Sequence, residues 1–138
     1  MITLTLKKEP EVPIEAEALS PDIVSKLSND ELRALPIFYG KHQLRLDEFF
    51  EVEGELSEEL EIHGDASRVK WLGRGMTHGQ LRIGGSAGMH LGAFMKGGTI
   101  AVTGTASAWI GAELSGGLIR IGGNAGGQIG AAYRGTLT

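Results

Sequence analysis

The 138-residue chain contains no cysteine. That excludes disulfides, thiolate nucleophiles, Cys-ligated zinc and Cys-held iron–sulfur clusters within it, and it suits a reducing compartment. No stretch approaches the ~18 apolar residues of a membrane span. The first residues, Met1-Ile2-Thr3-Leu4-Thr5-Leu6-Lys7-Lys8, lack the apolar core of a signal peptide. The expected location is therefore the cytoplasm, with no membrane partner. Aromatic residues are scarce at 6%, and Lys and Arg form no basic run. Neither an electrostatic track nor a stacking ladder for nucleic acid is present. Acid is also nearly missing from the second half, where Glu113 is the one carboxylate side chain beyond position 72.

What the chain does have is unevenly placed. Residues 1–72 hold 16 of the 17 acids and 8 of the 13 bases, a balance of −8. Residues 73–138 set Glu113 against Arg74, Arg82, Lys96, Arg120 and Arg134, a balance of +4. Glycine is split the other way: of the 22 glycines, only Gly40, Gly54 and Gly64 precede Gly73. These shifts mark an N-terminal cap region, 1–59, and a glycine-rich region, 60–138, expected to form one continuous structural unit.

The cap region reads as mixed α/β. Ile2-Thr3-Leu4-Thr5-Leu6 alternates at period 2, as a half-buried strand does. Ser20 before Pro21 and Asp22 opens a helix expected over 21–27, with Ile23, Val24 and Leu27 on its buried side. Ser28-Asn29-Asp30-Glu31 is a capping box for a second short helix that Pro36 ends. Ile37-Phe38-Tyr39-Gly40 leads to a second alternating strand, Gln43-Leu44-Arg45-Leu46, followed by a turn and a strand-like stretch over 47–52. The acid run over 51–61 reads as a solvated face, the alternative being a contact for a basic partner.

The second half repeats itself. Gly73, Gly92, Gly111 and Gly130 recur at a constant 19-residue spacing. Other columns share that register: Leu81, Ile100 and Ile119; Ile83, Val102 and Ile121; Gly85, Gly104 and Gly123; Ala87, Ala106 and Ala125. Leu60-Glu61-Ile62-His63-Gly64-Asp65-Ala66 is an earlier, less regular copy. So glycine-rich a unit would not hold helices. Each unit instead shows two β-type runs, such as Leu81-Arg82-Ile83 and Met89-His90-Leu91. Stacking one unit per turn predicts a mainly β fold, a parallel β-helix (solenoid) of 19-residue coils behind a small α/β cap. Leu81, Ile100 and Ile119 would form one inward column.

Candidate chemistry is sparse. The dinucleotide spacing G-x-G-x-x-G is begun by Gly73 and Gly75 and broken by His78, and no P-loop occurs. His42, His63, His78 and His90 lack metal-ligand spacing and read as structural or solvent-facing. Glu113 alone cannot supply paired-carboxylate chemistry. The expectation is that no residue of this chain is catalytic, cofactor-binding or metal-binding. Trp109, next to inward Ile110, is expected on the outer surface as an interface residue, and Trp71 packed under the cap. Small residues on the outer faces favour the close approach of another chain.

Gly116-Gly117-Leu118-Ile119-Arg120-Ile121-Gly122-Gly123-Asn124-Ala125-Gly126 resembles the glycine-rich solenoid of the formylmethanofuran dehydrogenase C subunit and of the glutamate synthase C-terminal domain. Lys41-His42-Gln43-Leu44-Arg45-Leu46-Asp47-Glu48-Phe49-Phe50-Glu51-Val52 resembles the lead-in of that C subunit, and Leu72-Gly73-Arg74-Gly75-Met76-Thr77-His78-Gly79 its first full coil. The likeness covers roughly residues 38–138. It implies a non-catalytic scaffold subunit of a formylmethanofuran dehydrogenase or a formyltransferase/hydrolase complex in C1 metabolism. Tungsten or molybdenum pterin with iron–sulfur clusters, or a divalent metal, would then sit in partner subunits. The alternative is a structural domain of the glutamate synthase type, associated with an amidotransferase. The C subunit normally continues through further coils, whereas this chain stops within its fourth unit. Either a fragment or a covered end is expected, with end-to-end self-association where the end is open.

Overall fold

The computed structural model of the chain describes residues 2–7, 14–17, 19–39, 42–54, 57–106, 110–111, 115–123 and 136–137. The strands are β1 Ile2–Leu6, β2 Ile14–Glu15, β3 Pro36–Tyr39, β4 His42–Arg45, β5 Phe50–Gly54, β6 Glu59–His63, β7 Val69–Lys70, β8 Gln80–Gly84, β9 Thr99–Val102, β10 Leu118–Ile121 and β11 Thr136–Leu137. Two short helices, α1 Pro21–Val24 and α2 Asn29–Arg33, and a 3₁₀ turn over Leu46–Glu48 complete the described elements. No described helix is long and apolar enough to cross a membrane.

The expected parallel β-helix of 19-residue coils does not describe this fold. The strands form two mixed sheets, a seven-stranded one ordered β11-β10-β9-β8-β6-β1-β5 and a four-stranded one ordered β4-β3-β2-β7. N-terminal strands enter both. β1 lies parallel to β6 and antiparallel to β5, and β2 lies parallel to β7 and antiparallel to β3. The second β-run expected at Met89-His90-Leu91 is also not a strand. Residues 89–94 are turns, and His90 stands at φ 61°, which no extended strand can contain. The short strand β2 is a further element that the sequence pattern does not announce.

Within the larger sheet, pairing follows apolar alternation. β8, β9 and β10 pair in parallel at the 19-residue spacing, with Leu81 beside Ile100 and Ile100 beside Ile119. Leu60 sits beside Leu81 and Ile2 beside Leu60, which extends this buried row across five strands. Leu4, Ile62, Ile83 and Val102 make the parallel buried row. β11 pairs one step off the 19-residue frame, with Ile119 beside Leu137. Leu19, Leu32, Leu46, Phe49 and Phe50 close the same core from the N-terminal side.

Local chemistry accounts for the small elements. Ser28 accepts from the Glu31 N–H at 3.2 Å, and Glu31 accepts in return from the Ser28 N–H at 3.1 Å, so the capping box forms as expected. α1 is shorter than expected. Its N-cap, Ser20, makes no capping bond, its hydroxyl is buried with no partner among the described residues, and Ile23 is 38% exposed. The turns stack as well: the Gly92 N–H donates to Leu72 O at 2.8 Å and the Gly111 N–H to Leu91 O at 2.7 Å. Gly98 shows why glycine recurs there. It stands at φ +82°, and a Cβ would meet Met76 Cε at 2.7 Å and Gly79 O at 2.9 Å.

Candidate functional site

Two turns, at 71–75 and 89–94, carry a cluster of aromatic and cationic side chains on one surface. Trp71, directly after β7, stacks on His90 with ring centroids 4.1 Å apart and planes 7° from parallel. The Arg74 guanidinium lies 5.1 Å from the Phe94 ring centre and 5.8 Å from that of Trp71, within cation–π range. Phe94 is 44% exposed. Glu17 reaches Arg74 at 4.0 Å, a distance that in solvent contributes little.

The backbone under this cluster is strained. Trp71, His90 and Phe94 stand at φ 68°, 61° and 58°, and they are the non-glycine residues found with positive φ among the described residues. A left-handed conformation costs a non-glycine residue about 1–2 kcal/mol. Hydrogen bonds from one turn to the next hold it in place: the Trp71 N–H donates to Met89 O at 3.1 Å and the Gly75 N–H to Ala93 O at 2.8 Å. Strain concentrated on three adjoining aromatic and imidazole side chains is a mark of a functional surface. Tryptophan and arginine dominate the energetics of protein interfaces.

Burial lowers the His90 pKa, and the positive charge of Lys70 lowers it further. The imidazole against Trp71 is thereby kept neutral near pH 7. A second polar cluster ties α1 to the core strands. Asp22 accepts the Thr77 N–H at 3.0 Å and the Thr77 hydroxyl, and His78 lies 3.9 Å from Asp22 and 3.4 Å from Glu58. Burial alone would raise the Asp22 pKa, but the two Thr77 bonds and the charge of His78 outweigh it, and the carboxyl titrates below its ordinary value. A third feature is a groove of about 390 Å³ lined by Glu15, Glu17, Pro36, Phe38 and Gln43, where Phe38 is 44% exposed.

The sequence-based expectations are met unevenly. Trp71, expected packed under the cap, is half-buried and stacked on His90. Trp109 and Glu113 lie outside the described residues. His42 lies on β4 and His90 on the turn at 89–94, while His63 pairs with Glu61 at 2.5 Å on the face of β6. Among the described residues no three His, Asp or Glu side chains converge on a metal position. Sequence reasoning misses the aromatic cluster, although the signal for it is there. Trp71 and His90 occupy one column of the 19-residue frame, and Phe94 takes the column of Gly75, whose own φ is 68°.

No family model matches the chain. Over 97 residues it is 41% identical to the C subunit of the tungsten-containing formylmethanofuran dehydrogenase 2 of Methanothermobacter marburgensis, a match covering 67% of this chain and 36% of that protein. Over 91 residues it is 45% identical to the C subunit of the molybdenum-containing formylmethanofuran dehydrogenase 1 of the same organism, 64% of this chain and 23% of the relative. Among solved structures, the crystal structure of the formyltransferase/hydrolase complex from Methylorubrum extorquens, in complex with methylofuran, contains a similar chain. It superposes with a TM-score of 0.89 at 32% identity, over 98% of this chain and 54% of that one. The chain thus spans about a third of the length of its tungsten relative and about half of the matched solved chain.

Proposed function

We propose that this chain, a relative of the formylmethanofuran dehydrogenase C subunit, serves as a non-catalytic scaffold subunit in a C1-metabolising complex. It organises catalytic subunits of either the formylmethanofuran dehydrogenase or the formyltransferase/hydrolase kind. The observation that carries this reading is the superposition of nearly the whole chain on a chain of a four-subunit formyltransferase/hydrolase complex. The strained Trp71–His90–Arg74–Phe94 surface supports it, since three costly backbone conformations persist there beside an exposed ring. In this reading the chain works in the cytoplasm and holds no cofactor of its own. Pterin-bound tungsten or molybdenum with iron–sulfur clusters, or a divalent metal, belongs to partner subunits. The absence of cysteine accords with that division, because no thiolate here could ligate a cluster.

The test is co-purification of the tagged chain with the catalytic subunits of each complex, alongside a turnover assay of the chain alone. The reading requires stable capture of one set and no formate-forming turnover by the isolated chain. Turnover by the chain alone that a single substitution abolishes would overturn it.

A further inference from the structure

We propose that the outer face of the seven-stranded sheet is a docking surface for a second copy of this chain. Its central row of outward positions, read across six paired strands, is Glu53, Thr3, Glu61, Arg82, Ala101 and Arg120. The inward neighbours Leu4, Leu60, Ile62, Leu81, Ile83, Ile100 and Ile119 are buried, which fixes the face on which the row stands. Reading outward from the boundary between β6 and β8, each acid has a base at the same distance on the other side. Glu61 answers Arg82, Glu53 answers Arg120, and the small Thr3 answers the small Ala101.

Such a row is complementary to itself. When two copies meet face to face about a two-fold axis parallel to the strands and between β6 and β8, Glu61 of each copy faces Arg82 of the other. The outer pair Glu53 and Arg120 is brought together in the same way. This is the isologous geometry of a symmetric dimer. Packed sheets lie about 30° apart, so the pair beside the axis is the best aligned. Arg82 and Arg120 are available for it. Arg82 donates within its own chain to the Gln80 side chain at 3.0 Å, and among the described residues neither arginine is ion-paired. A groove of about 300 Å³ lined by Glu61, Arg82, Ile83, Gly84, Ala101 and Thr103 opens at the same place. Small residues on β9 leave the face flat enough for close approach.

Six strands about 4.8 Å apart and four or five residues long present roughly 450 Å² per copy. Twice that area falls at the low end for specific interfaces, so the dimer is expected to be weak, with a Kd in the micromolar range or above. The dimer does not depend on the scaffold reading. The experiment is sedimentation equilibrium of the full chain over roughly 1 μM to 1 mM, at low and high salt. The wild type should dimerise, and less so at high salt. Arg82→Glu and Glu61→Arg should each weaken dimerisation at least tenfold, by placing like charges across the axis. An equimolar mixture of the two variants should associate again, because each then offers the charge the other lacks, and the double variant should regain self-association. Circular dichroism establishes that each variant is folded. A wild type monomeric throughout, or folded single variants that dimerise unchanged, or a mixture that fails to associate, would each overturn the proposal. So would a face that captures a different subunit, with Arg82→Glu abolishing capture and the double variant not restoring it.

Discussion

At the scale of single residues, the informative positions are those where side-chain type and backbone conformation disagree. Phe94 stands where the preceding unit has glycine, at a φ that glycine adopts without cost. Phe94→Gly should therefore leave stability within about 1 kcal/mol of wild type in urea titration, while weakening capture of partner subunits. A large loss of stability with unchanged capture would make the ring structural. Ser20 buries a hydroxyl with no partner among the described residues, so Ser20→Ala should be neutral or stabilise by up to about 1 kcal/mol in thermal denaturation. Asp22 and His90 set the pH response. Asp22 titrates below its ordinary 3.8 in the folded chain, so its stabilisation is complete above that value and fades as the pH falls beneath it. Asp22→Asn should cost about 2 kcal/mol at pH 7, and the cost should shrink as the pH is taken below 3.8. His90 also titrates below its ordinary value, 6.5, but as a base. The unfolded chain takes up that proton first, so stability is full above pH 6.5 and declines below it. A His90→Gln chain should lack that decline, measured as urea midpoints between pH 7.5 and 5.5.

At the scale of elements, pattern predicts some features and misses others for identifiable reasons. Alternating apolar residues at a 19-residue spacing are legible, and β8, β9 and β10 pair at that spacing. The fold class drawn from them is not, because parallel register says nothing about what flanks it. Residues 2–6 and 50–54 supply strands that join the same sheet, one pair antiparallel, and two-residue β2 is too short for any periodicity to show. The capping box at Ser28 and Glu31 is legible because both of its bonds are local. The length of α1 is not, since Ser20 is buried rather than capping. The Trp71–His90 stack is hidden by the irregular pattern over 60–72, although the two residues stand at the 19-residue spacing. Ile100 is central to the buried row, and Ile100→Ala should destabilise by about 3 kcal/mol. Gly98→Ala, strained by φ and crowded by Met76 and Gly79, should cost a similar amount. Both are checked by urea denaturation followed at Trp fluorescence.

At the scale of the whole molecule, two kinds of surface stand out. The strained aromatic cluster on the turns suits a different subunit, and the antisymmetric charge row on the large sheet suits a second copy. The end-to-end association expected from the sequence would involve residues 124–135, which lie outside the described residues. The proposed scaffold function is legible only through resemblance, because a scaffold carries no catalytic spacing to read. The most direct test is light scattering coupled to size-exclusion chromatography of the chain co-expressed with the catalytic subunits of a formylmethanofuran dehydrogenase or formyltransferase/hydrolase complex. The account predicts that the chain co-elutes with them at fixed stoichiometry and that Arg74→Glu releases it. Catalytic subunits that assemble and turn over at full rate while the chain elutes alone would contradict it.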